Sequence, residues 1–179
     1  MLLRSVLMSV LMFLLALGSE PLNAQPLSTQ PSSNQSSGGS PLFSFAGKRP
    51  ENLGVKDGKL AACPGTPNCV SSQAATTDVE HSIAAFSYQS EPSAAIATLK
   101  SVIQSMPRTK VITEDSNYLY AEFATALMGF VDDVEFYLDD ANRVIHVRSA
   151  SRLGQSDLGV NRKRIEEIRT AFSALNSAQ

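Results

Sequence analysis

The chain has 179 residues, 43% of them hydrophobic and 18% charged, with a formal net charge of −2. That length suits one domain, and a slightly acidic balance excludes nonspecific nucleic-acid binding, which needs a surplus of Lys and Arg over phosphates. Two cysteines and two histidines leave little material for metal or redox chemistry.

Met1 to Ala24 has the layout of a secretory signal peptide. Arg4 supplies a short positive region, Val6 to Leu17 is apolar apart from Ser9, and Gly18, Ser19 and Pro21 then break the run. A spanning helix needs about 20 apolar residues, more than this run offers. Leu22, three residues before the expected cleavage point, suits cleavage poorly, so an uncleaved leader that tethers the protein to a membrane stays open. No Cys follows the run to carry a lipid. Residues 25–42 are rich in Ser, Gln, Pro and Gly without charge, which predicts a disordered linker because they bury too little apolar surface to offset ordering. Residues 43–179 remain for a single α+β domain, exported to a periplasm or a thylakoid lumen.

Within that domain Cys63-Pro-Gly-Thr-Pro-Asn-Cys69 folds back through Pro64, Gly65 and Pro67. In an exported chain two such cysteines are expected to form a disulfide. A competing reading joins Cys63 and Cys69 to His81 and His146 as a zinc site, although the cysteine spacing is wider than usual. No metal or cofactor is otherwise called for.

His81 to Tyr88 alternates enough to predict a first strand. Ser90-Glu91-Pro92 predicts a helix start with Ser90 as N-cap, and Ile96, Leu99, Ile103 and Met106 recur on one helical face before Pro107 ends it. Four strands follow: Thr109–Glu114, Tyr118–Ala126, Phe130–Leu138 and Arg143–Ser149. Leu127-Met128-Gly129 is an unusually apolar turn, read either as a tip folded under the sheet or as a contact for a partner or membrane surface. A last helix is capped by Ser156 or Asp157 and buries Leu158, Ile165, Ile168, Phe172 and Leu175, with Arg162, Lys163, Arg164 and Arg169 off that stripe. The order β-α-β-β-β-β-α predicts a curved antiparallel sheet of about five strands with two helices on one face, TATA-binding-protein-like or helix-grip-like.

Charge is segregated along the chain. Residues 114–140 hold eight acidic side chains and no basic one, and the stretch after them is basic. Aligning the apolar faces of the last hairpin through a two- or four-residue turn sets Phe136 opposite Ile145 and Val134 opposite Val147. It also sets Asp133 opposite Arg148, Glu135 opposite His146 and Asp132 opposite Ser149. Asp132 shares its face with large apolar residues and must be paired if buried. The expected structural charge network is therefore Asp132, Asp133, Glu135 and His146, with Arg148 on Asp133 and Arg152 on Asp132.

The loop and helix start offer a competing ligand site. Arg148, Ser149, Ser151, Arg152, Gly154, Ser156, Asp157, Asn161 and Arg162 together resemble an anion-binding arrangement of backbone N–H groups and guanidiniums at a helix N-terminus. For catalysis, His146 with Glu135 and a serine, Ser149 or Ser151, is the available set, but neither G-x-S-x-G nor H-E-x-x-H occurs.

Three stretches carry a resemblance: CPGTPNCVSS at Cys63–Ser72, GFVDDVEF at Gly129–Phe136 and RSASRLGQSDLGVNRKRIEEIR at Arg148–Arg169. In that order they resemble domain-of-unknown-function family 1499 over about residues 45–175, and the leader with FAGKRPENLGV is similar to cyanobacterial members. The resemblance implies the domain and no activity. The functional expectation is a monomeric, non-catalytic binding module for a small anionic or amphipathic, lipid-like molecule. An interaction or assembly factor for a membrane complex is the alternative, and a hydrolase the weaker one.

Overall fold

A computed structural model describes residues 45–176; the expected signal peptide and linker lie outside that range. The elements are β1 (Cys69–Ser71), β2 (Phe86–Ser87), α1 (Pro92–Ser105), β3 (Thr109–Glu114), β4 (Tyr118–Ala124), β5 (Val131–Asp139), β6 (Val144–Ser151) and α2 (Val160–Asn176). They form an α+β fold with one open antiparallel sheet in the order β1-β6-β5-β4-β3, in which β2 also pairs with β6. The expected strand over 81–88 shrinks to two residues, and β1 is an addition. Elements of two or three residues carry no readable period.

Alternation sorts the sheet into two faces. On the inner face Leu119, Ala121, Phe123, Val134, Phe136, Leu138, Ile145 and Val147 meet Leu99 and Ile103 of α1 and Ile165, Ile168 and Phe172 of α2. Short β2 contributes Phe86, whose ring lies 5.9 Å from that of Phe136 and 5.8 Å from that of Phe172. Helix α1 starts at Pro92 with Glu91 as its N-cap and no side-chain cap. Glu91 is extended, as the residue before a proline should be, so Ser90 falls one position too early to cap and donates instead to Asn176. Leu158 and Leu175 leave the expected stripe: both are exposed, Leu158 because it precedes the helix altogether.

The β5–β6 hairpin corrects the expected register by two residues. Leu138 pairs with Ile145, Phe136 with Val147 and Val134 with Ser149, so the faces hold while each partner moves. The turn causes the shift by lying one residue later, over residues 140–143 rather than centred on Asp140-Ala141. Arg143 adopts a left-handed φ of 55° and donates through N–H to Asp140, while Asn142 donates twice to the Asp139 carboxylate. Nothing in the arginine that leads into β6 signals that conformation, which ordinarily favours Gly or Asn.

A strap at residues 45–60 crosses the other face. The Gly54 N–H donates to Glu135, Arg49 donates to Glu122, and the Arg49 guanidinium lies 5.6 Å from the centre of the Tyr120 ring. Cys63 and Cys69 form the expected disulfide, with Cα atoms 5.6 Å apart. Both sulfurs are thus committed, and the zinc alternative lacks its thiolates.

Candidate functional site

Parity along β5 and β6 divides the predicted residues between the two faces. Outward, β5 points Asp133 and Glu135 at Arg148 of β6 and at Arg152, the residue just beyond it. Arg152 donates from Nε to Asp133 at 2.9 Å and from Nη2 to Asp133 at 2.7 Å, to the Tyr120 hydroxyl at 3.1 Å and to Glu122. Glu135 is completely buried and accepts from the Gly54 N–H at 2.7 Å, the Tyr118 hydroxyl at 2.8 Å and Arg148 at 3.4 Å. The expected pairs Arg148–Asp133 and Arg152–Asp132 are therefore replaced by Arg148–Glu135, which follows from the two-residue shift, and by Arg152–Asp133, which follows from parity because Arg152 shares the outer face with Arg148 while Asp132 faces inward.

The electrostatics of this face are closed. Its carboxylates Glu122, Asp133 and Glu135 meet Arg49, Arg148 and Arg152. The hydrogen bond to Asp133 leads the causes that raise the pKa of Arg152. Burial works against ionisation of Glu122, but the hydrogen bonds from Arg49 and Arg152 outweigh it and leave its pKa lowered. Burial, reinforced by the neighbouring carboxylates, pushes Tyr118 and Tyr120 up, so both phenols keep their protons and donate them. A buried network of this kind is stable only because its members are matched. Arg148 Nε is the exception, a buried donor with no hydrogen-bond partner among the described residues.

Inward, Asp132 is buried as expected, but its partner is Arg164 of α2, at 2.5 Å. Arg164 also donates to Asn161 at 2.7 Å and Ser149 at 3.3 Å, and its guanidinium lies 4.9 Å from the centre of the Phe123 ring. Ser149 donates to Asn161, whose side-chain amide donates to the Asn68 carbonyl and to Ser151. Arg164 was expected off the buried stripe. Yet Asn161, Arg164, Ile165, Ile168 and Phe172 stand at helical spacing and are all buried. That spacing was the available signal: two polar residues on an apolar stripe, with a carboxylate waiting on the sheet.

The loop itself is built from capping bonds. Asp157 accepts from the N–H groups of Gly159 and Asn161, Ser156 accepts from Leu158, and the Gly154 carbonyl accepts from Asn68. Gly154 has a φ of 90°, which a side chain would strain. Arg162 turns away and donates to the carbonyls of Ser82 and Glu80. Arg148, Arg152 and Arg162, the three guanidiniums of the anticipated anion site, are thus each engaged within the fold.

His146 sits on the outer face, stacked on Tyr137, with Nδ1 3.2 Å from the Ser72 hydroxyl and Nε2 3.8 Å from Asp139. Burial lowers its pKa despite Asp139. Its expected partner Glu135 is elsewhere, and Ser149 and Ser151 lie across the sheet, so the catalytic set considered from sequence does not assemble. Ser72 also accepts the Val147 N–H, in effect extending the ladder beside β1.

Between the β4–β5 turn and the loop before α2 lies a cleft of about 270 Å³. Phe130, Leu153, Leu158 and Val160 wall it, and Asp132 and Ser151 reach its lining. Residues 59–172 match the family described as "Protein of unknown function (DUF1499)". The chain belongs to that family. No curated protein and no solved structure matches it. The family span takes in the sheet, both helices and the cleft, and leaves out most of the strap.

Proposed function

We propose that the chain is an exported, non-catalytic binding module that takes an amphipathic, lipid-like molecule in the cleft beside the Leu153–Val160 loop. The observation that carries this reading is the lining: apolar walls over an Asp132–Ser151 floor whose carboxylate already holds Arg164. With the nearby guanidiniums engaged, an uncharged polar end suits the cleft better than an anion. Its volume is just below the ~300–1,000 Å³ usual for small-molecule sites, so it holds one end of such a molecule. Export is supported by the leader's layout and by the disulfide.

Native mass spectrometry of the protein gently purified from its own host should show a retained small molecule. Titration with a monoacylglycerol should saturate, and Leu153→Asp should weaken it at least tenfold. Recovery of bare chain together with no saturable binding would exclude the reading. One observation favours an interaction factor instead: Leu127, at the apolar turn, is 62% exposed rather than folded under the sheet.

A further inference from the structure

The fold leaves nine large apolar side chains exposed among the described residues, and six of them gather at one end of the sheet: Phe45, Leu127, Phe130, Leu153, Leu158 and Val160. Single exposed apolar residues are ordinary, but a cluster marks a contact surface. Phe45 and Phe130 rings are 5.8 Å apart, and the Phe45 N–H donates to Met128 in the turn that carries Leu127. Phe130, Leu153, Leu158 and Val160 share the cleft. Leu158 is 94% exposed and sits at a φ of 55°, held there by the Ser156 and Asp157 side chains that bond the N–H groups of Leu158 and Gly159. A left-handed leucine pushed into water is a costly way to finish a loop that only has to reach a helix.

We propose that this end of the molecule docks on a lipid bilayer surface, with Leu127 and Leu158 entering the acyl region. Two features select lipid over other occupants. Arg108 and Lys163 line the adjoining groove beside Val160 together with Glu167; Arg108 donates from Nε to the Ala124 carbonyl and Lys163 is held only loosely, 3.9 Å from Glu167, so two cations against one carboxylate stand where lipid phosphates would lie. The chain that leads into the patch at Phe45 also carries, from Val6 to Leu17, a run that is apolar apart from Ser9. Phe45 of the patch is thus the described residue nearest, along the chain, to its most lipid-soluble stretch. Docking does not rest on the ligand reading.

The protein has no tryptophan, so one introduced tryptophan reports alone. In the full chain, Leu158→Trp tests the patch, and Leu175→Trp serves as control because it lies fifteen residues beyond Val160 along α2, about 22 Å away. With vesicles of phosphatidylcholine and phosphatidylglycerol whose acyl chains are brominated, the Leu158→Trp variant should shift to the blue and lose about half its emission. The Leu175→Trp variant should do neither. Adding Leu127→Asn to Leu158→Trp should lower vesicle partitioning about tenfold. Equal responses at the two positions would overturn the proposal. So would vesicle binding without a response at position 158, which indicates a tether alone, or a lipid-free shift that grows with protein concentration, which indicates a second copy. A protein that still binds monoacylglycerol yet fails here separates docking from ligand binding.

Discussion

The two faces of the sheet bury charge in opposite ways. Among the described residues the helix-covered face buries one ion pair, Asp132–Arg164, in an apolar core, backed by Asn161 and Ser149. The strap-covered face spreads its charge over three carboxylates, three guanidiniums and two phenols, and most members have more than one partner. An isolated buried pair fails when either half is lost, because the survivor is left charged in a poor solvent. A network with several bonds per member degrades by steps. The inner face therefore specifies how α2 sits on the sheet, and the outer face tolerates change.

The largest effect should come from breaking the inner pair. Asp132→Ala is expected to destabilise by ~2–4 kcal/mol in urea unfolding, since it strands Arg164; a change under ~0.5 kcal/mol would place Asp132 outside the core. Next, Arg152→Leu should cost ~1–3 kcal/mol, less than the inner substitution, because Tyr120 still donates to Asp133 and Arg49 to Glu122. If it costs more, the redundancy of the outer face is not real.

A smaller, pH-dependent effect separates the two histidines. His81 is buried with Nδ1 on Asp78 at 2.8 Å and Nε2 on the Thr66 carbonyl at 3.2 Å, so both ring nitrogens face acceptors. The hydrogen bond to Asp78, ahead of the bond to Thr66, raises its pKa. Its contribution is complete below about pH 6.5 and is lost as pH rises through the raised value. His146 has a lowered pKa, and its neutral form loses stability as pH falls below about 6.5. Thermal melts should show His81→Gln removing the loss on the alkaline side and sparing the acid side. The smallest change expected is Arg49→Ala, whose melting midpoint should match the parent's, since that ion pair is half exposed and Glu122 keeps Arg152.

Most of the architecture was legible because β3 to β6 alternate with period two and both helices repeat an apolar stripe. Face assignments survived for the same reason: a register error of two residues preserves parity. The cross-strand partners did not survive, because left-handed Arg143 moves the centre of the hairpin turn one residue along without a glycine to announce it. Arg164 was missed for a different reason. An arginine on a helix reads as solvated, and Asp132, the carboxylate on the facing strand that marks its position as interior, was assigned to Arg152 instead. The cleft was legible only in part: Ser151, Gly154, Ser156 and Asp157 of the anticipated loop site line it, but its apolar walls were not foreseen. It needs Phe130 from the β4–β5 turn and Val160 from the start of α2, far apart in sequence and brought together only by the closed hairpin.

The strand order has a consequence for how the chain is made. The meander from β3 to β6 pairs neighbours in sequence, but β1 and β2 pair only with β6, at the far end of that meander. Segments translated first therefore wait for their partner strand until residues 144–151 emerge, and such distant pairing is slow. The disulfide ring between Cys63 and Cys69 is a covalent constraint in that early segment, and it can close without β6. An oxidising compartment would set the entry to β1 while the rest of the sheet is still being delivered.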